Sequence, residues 1–155
     1  MKSEDMKNFT PLELPLYKKN YYSAFKQFDK YFLFLERGLN LLISDGILGY
    51  IVPSKFTKVG AAQKLRELIR NNLIRIVSFG ANQIILDKTT YTCLIFLGKE
   101  EITFYCYDEV YNINTWKTCQ EPLITVFDKA DLNEEKWVLM PFHQRPLYQL
   151  INYNS

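Results

Sequence analysis

Phe28-Asp29-Lys30-Tyr31-Phe32-Leu33-Phe34-Leu35-Glu36-Arg37-Gly38-Leu39, followed by Gly46-Ile47-Leu48-Gly49-Tyr50-Ile51-Val52-Pro53, sets the class of this chain. Phe28, Phe32, Leu35, Leu39 and Leu42 step by four, three, four and three, which lines one face of a helix. The pattern predicts a helix of roughly six turns starting near Tyr22. Lys30, Glu36, Arg37 and Asn40 lie off the apolar face. Asp45-Gly46 should end the helix, with Gly46 in the left-handed conformation that closes one. Ile47–Val52 is apolar almost throughout, as expected of a strand buried on both faces in a sheet covered by helices. Pro53 has no amide hydrogen for a ladder and stops it. The loop leaving the carboxyl end of such a strand is where α/β sheets place ligand chemistry. Ser54, Lys55, Phe56 and Lys58 stand there.

The same alternation of elements continues outward. Ala61 to Asn72 reads as a helix with Leu65, Leu68 and Ile69 inward and Lys64, Arg66, Glu67 and Arg70 outward. Ile74–Phe79 reads as a strand, as does Tyr91–Leu97. The connection between them is too short for a helical crossover, so the pair is expected to be antiparallel. Ile102–Tyr107 reads as one more strand, paired back on its predecessor. Leu123–Phe127 is a further strand candidate, 128–136 a charged connector, and Lys136–Leu139 the start of another element. No independent core is expected after Asp108. On the amino side, residues 1–20 are punctuated by Pro11 and Pro15 and read as an irregular lead-in with at most a short helical turn.

A chain of 155 residues with 48% hydrophobic and 15% aromatic side chains can build a real core and is not a disordered composition. Its net charge of +2 excludes a global electrostatic case for nucleic acid, so any such case is local. The local one is Lys55, Lys58, Lys64, Arg66, Arg70 and Arg75 against the single acid Glu67, a basic face that could track phosphates or simply be solvated. Cys93, Cys106 and Cys119 form no Cys-x-x-Cys pair and read as inert thiols in a reducing cytoplasm. With one histidine, His143, no metal-ligand spacing exists. Met1–Asp5 carries no signal core. No apolar run approaches the ~20 residues of a membrane span, so no membrane partner is expected.

Nucleotide and nucleophile motifs are missing: there is no Gly-x-Gly-x-x-Gly, no Walker loop, no Gly-x-Ser-x-Gly and no distinct pair of carboxylates. Five segments in order nevertheless carry a resemblance. They are Phe28-Asp29-Lys30-Tyr31-x-x-Phe34-x-Glu36-Arg37-Gly38-Leu39-x-Leu41-Leu42, Gly46–Phe56, Leu65-Arg66-x-x-Ile69, Gly80-Ala81-Asn82-Gln83 and Asp87-Lys88-Thr89-Thr90-Tyr91-Thr92-Cys93-Leu94. Over roughly residues 16 to 98 the chain resembles adenine-specific DNA methyltransferases of bacterial Type II restriction–modification systems.

The resemblance implies an α/β fold, namely the last three strands of a class I S-adenosylmethionine-dependent methyltransferase sheet, with an antiparallel final pair and flanking helices. It implies residues 1–108 as the carboxyl half of the catalytic domain and 109–155 as a connector towards a target-recognition domain. Ser54, Lys55, Phe56, Lys58, Lys88 and Thr89 would face DNA. Ile85 would stand in the wall of the flipped-base pocket, where members often carry a stacking phenylalanine. The family's glycine loop and Asn/Asp-Pro-Pro-Tyr/Phe tetrapeptide are not found in residues 1–155. The implied cofactor, S-adenosylmethionine, therefore belongs to the full-length enzyme, and the chain alone is expected to be inactive. With the strand that ends at the tetrapeptide missing, Ile47–Val52 would have a bare edge, and self-association is expected. A non-catalytic DNA- or protein-binding remnant or subunit is the alternative reading, and an unrelated α/β protein a third.

Overall fold

The computed structural model describes residues 2–9, 11–80, 91–100, 104–110, 114, 117–118, 123–132 and 135–139. Among them run helices α1 (Ser3–Phe9), α2 (Glu13–Asn20), α3 (Lys30–Leu41) and α4 (Gln63–Ile69), and strands β1 (Ile47–Pro53), β2 (Leu73–Ser78), β3 (Thr92–Gly98), β4 (Phe104–Glu109) and β5 (Leu123–Asp128). The strands form one mixed sheet in the order β1-β3-β2-β4-β5. Antiparallel β3 lies between β1 and β2, β4 runs parallel to β2, and β5 returns antiparallel. The antiparallel pairing of β2 with β3 is as the short connection predicts.

One face of the sheet carries the core. Phe32, Leu35 and Leu39 of α3 and Leu65 and Ile69 of α4 pack with Val52, Ile76, Cys93, Ile95, Leu97, Tyr105, Tyr107 and Phe127, all buried. The register sets Tyr50, Ile95, Ile76 and Tyr107 in one row across this face, and Ile51, Leu94, Val77 and Asp108 in the next row across the opposite face. This period-2 alternation is why a single strand serves both faces.

Several expectations are corrected. The lead-in is not irregular: α1 and α2 form, Met6 is fully buried, and Ser3 N–H bonds Phe28 C=O at 2.7 Å. The long helix is only 12 residues. Tyr21–Phe25 is a run of turns, and Lys26 has φ 49°, which no helix interior accommodates. Glu36 does not face water. It is buried, and its two carboxylate oxygens accept Tyr22 N–H at 2.9 Å and Ser23 N–H at 2.8 Å, holding those turns against α3. Gly46 does not take a left-handed conformation. The helix ends when Leu42 becomes extended, and Gly46 N–H closes a turn on Ile43 C=O.

β1 is not buried on both faces: among the described residues it is an edge strand with β3 as its one neighbour, and Ile47, Gly49, Tyr50 and Ile51 are exposed. Arg66 does not point outward but is buried. The strand β4 does not pair back on β3; it lies beside β2. Residues 123–139 build no second core among the described residues. Phe127, Leu132 and Trp137 return to the first one.

Candidate functional site

Strands β1, β2 and β4 run in the same direction, so Pro53, Ser78 and Glu109 end at one side of the sheet, next to Thr92 at the start of β3. A cleft of about 350 Å³ opens there. Ser54, Thr57 and Lys58 line it from the loop after β1, Ser78 and Gly80 from the end of β2, and Tyr91 and Cys93 from β3. Ile76 of β2, Tyr107 and Glu109 of β4, and Trp137 with Leu139 complete it.

The loop after β1 is a helical turn, Ser54–Thr57, held by its own backbone. Lys58 N–H and Val59 N–H both donate to Lys55 C=O at 3.0 Å, and Thr57 Oγ1 donates to Ser54 C=O at 2.9 Å. Ser54 N–H bonds Tyr91 C=O at 2.9 Å and ties the loop to β3. Arg66 reaches in from α4, its Nη1 donating to Phe56 C=O at 2.6 Å and Val59 C=O at 2.8 Å. A guanidinium can satisfy such turned carbonyls where water cannot reach. Burial lowers its pKa. Phe56 does not face the cleft. It is fully buried, and Trp137 meets its ring edge-on at 6.0 Å while Trp137 N–H donates to Thr57 C=O.

The six basic residues do not form one face. Lys55 Nζ pairs with Asp29 Oδ2 at 2.7 Å, at the start of α3. Lys64 pairs with Glu67 at 2.9 Å and donates to Tyr22 Oη, which holds its pKa above the usual lysine value. Arg75 pairs with the buried Asp108 on the opposite face of the sheet. Lys58 alone of the six lines the cleft, and no carboxylate pairs with it among the described residues. Burial pushes the Cys93 thiol up to about 12 and raises Tyr107, so neither ionises near neutrality. Lys88, Thr89 and Ile85 lie outside the described residues.

Sequence reasoning brought Ser54 and Lys58 to the site and missed Tyr107, Glu109 and Trp137. The alternating run ending in β4 was the available signal for the first two. For Trp137 it was residue type alone, since an indole of that size seldom stays in water.

The Eco57I restriction-modification methylase family matches residues 1–85. The Type II restriction enzyme and methyltransferase RM.Eco57I from Escherichia coli is 45% identical over 143 residues, which is 90% of this chain and 14% of that protein. The chain thus spans a small part of the curated relative it matches. Among solved structures, the type IIG restriction endonuclease BpuSI superposes with a TM-score of 0.58 at 13% identity, over 84% of this chain and 17% of that one. A type I restriction-modification methyltransferase subunit from Streptococcus thermophilus gives 0.52 at 15% identity, over 66% and 27%. At such identities the likeness is one of fold.

Proposed function

Because the chain belongs to the Eco57I restriction-modification methylase family, we propose that it forms the DNA-facing part of an adenine-specific DNA methyltransferase, acting in the cytoplasm. The observation that carries this reading is the cleft at the carboxyl ends of β1, β2 and β4, with the braced Ser54–Thr57 turn and Lys58, which has no carboxylate partner among the described residues, in its lining. Lys58 is the side chain placed to neutralise a phosphate, and Ser54 has a hydroxyl beside it. Phe56 acts from beneath, filling the space under the turn. Lys55, held by Asp29, sets the loop's position and lends positive potential. From the resemblance we assign Lys88 and Thr89 to DNA as well, and Ile85 to the wall around an extruded adenine. That wall can exclude water, but it lacks the base–aromatic stacking worth ~1–3 kcal/mol.

S-adenosylmethionine is the methyl donor this reading implies for the full-length enzyme. The residues present here do not fit it. No Gly-x-Gly-x-x-Gly stands in residues 1–155, and Gly60 and Gly80 at the cleft side are single glycines twenty positions apart rather than a glycine loop. The described residues are therefore given DNA contact and support of the base pocket, and no step of methyl transfer.

Anisotropy of a labelled duplex titrated with the chain at several salt concentrations tests the assignment. Lys58→Ala should weaken binding equally for all sequences and reduce the salt slope by about one. Lys55→Ala should also weaken binding, with a smaller change of slope. An unchanged slope in Lys58→Ala would remove the phosphate role.

A further inference from the structure

Tyr91 stands just before β3, which β1 and β2 flank on both sides, so it lies inside the end of the sheet and not at an outer edge. Its backbone is fixed twice over. The Tyr91 carbonyl accepts Ser54 N–H at 2.9 Å and the Ser54 hydroxyl at 3.3 Å. The residue is nevertheless 61% exposed, and it lines the cleft. Among the described residues no ring packs on it and no side chain bonds its hydroxyl. A tyrosine has only two side-chain torsions, so with its backbone held it offers a large flat surface at little entropic cost.

The rest of the cleft selects what that ring meets. Cys93, Ser78 and Glu109 share one row across the sheet, and Tyr91, two residues before Cys93, stands one row further out. The inner row thus ends in a carboxylate, which repels phosphate. Ile76 and Trp137 add apolar lining there, and Lys58 brings its positive charge from the loop after β1. The cleft's volume of about 350 Å³ falls within the ~300–1,000 Å³ of small-ligand sites. A phosphate beside Lys58 and a flat, uncharged ring inside describe a nucleotide whose base has left the helical stack. We propose that Tyr91 is a stacking platform for an unpaired base of bound DNA. This rests on the DNA-facing reading above and adds what Lys58 does not supply, a preference for a base out of the stack. Every base has a π face, so the preference follows unpairing and not sequence. Stacking neutralises no phosphate, so it acts alike at every salt concentration, whereas Lys58 acts through the salt slope.

Anisotropy titrations of the chain with a fully paired labelled duplex, and with the same duplex carrying one bulged adenine or one bulged thymine, test this. Both bulged duplexes are expected to bind roughly five- to a hundredfold more tightly than the paired one. Tyr91→Ala should abolish that ratio with the salt slope and the circular dichroism unchanged, and Tyr91→Phe should keep it. Lys58→Ala should lower the slope and leave the ratio. Equal affinity for paired and bulged duplexes overturns the platform while the phosphate contact stands, and so does a ratio that survives Tyr91→Ala. Failure to bind any duplex overturns both readings.

Discussion

Glu36 is a buried carboxylate with two amide donors, and removing it leaves both donors without an acceptor. Glu36→Ala should cost roughly 2–4 kcal/mol in urea unfolding, and Glu36→Gln, which keeps one acceptor oxygen, less. Cys93 gives a prediction in pH. Its thiol is raised from 9.0 to about 12 in the folded chain, so above pH 9 the unfolded chain releases a proton that the folded one keeps. Stability should be intact below pH 9 and fall as pH rises towards 12, by roughly 1.4 kcal/mol per unit. Tyr31 and Tyr107, also raised by burial, add to the loss only above their ordinary value of 10.0. The slope between pH 9 and 10 therefore belongs to Cys93 in this account, and Cys93→Ala should flatten it in denaturant melts taken at each pH.

At the scale of elements, α3 and β1 touch through Gly38, where Leu48 methyls occupy the space of a side chain. A β-branched residue there must push helix and strand apart. Gly38→Ile should destabilise by roughly 1–3 kcal/mol despite its better helix propensity, read from the urea midpoint. The helix itself was legible: the spacing of Phe32, Leu35 and Leu39 marks the buried face correctly. Its length was not. Apolar spacing continues through Phe28, but Lys26 and the turns at Tyr21–Phe25 interrupt the backbone, and a carboxylate fourteen residues away in sequence holds them. A pattern of side chains carries no record of that hydrogen bond.

Across the whole molecule, Trp137 joins the last described segment to the loop that lines the cleft. Trp137→Ala should cost roughly 3–5 kcal/mol and, in variants kept folded at low temperature, expose the Ser54–Val59 loop to protease. The amino-acid sequence by itself determined the elements from β1 to β3, their antiparallel closure, and the place of Ser54 and Lys58 after a strand end. Each of these follows from local periodicity, a proline stop or a connection too short for a crossover. Only the tertiary structure decided that β1 is an edge, that β4 lies beside β2, and that Arg66 is buried under the loop. It alone also scattered five of the six nearby cations among four separate partnerships and the cleft rim. The reason is physical. Strand order and the pairing of charges depend on which distant surfaces meet, and an apolar run reads the same whether one neighbour covers it or two.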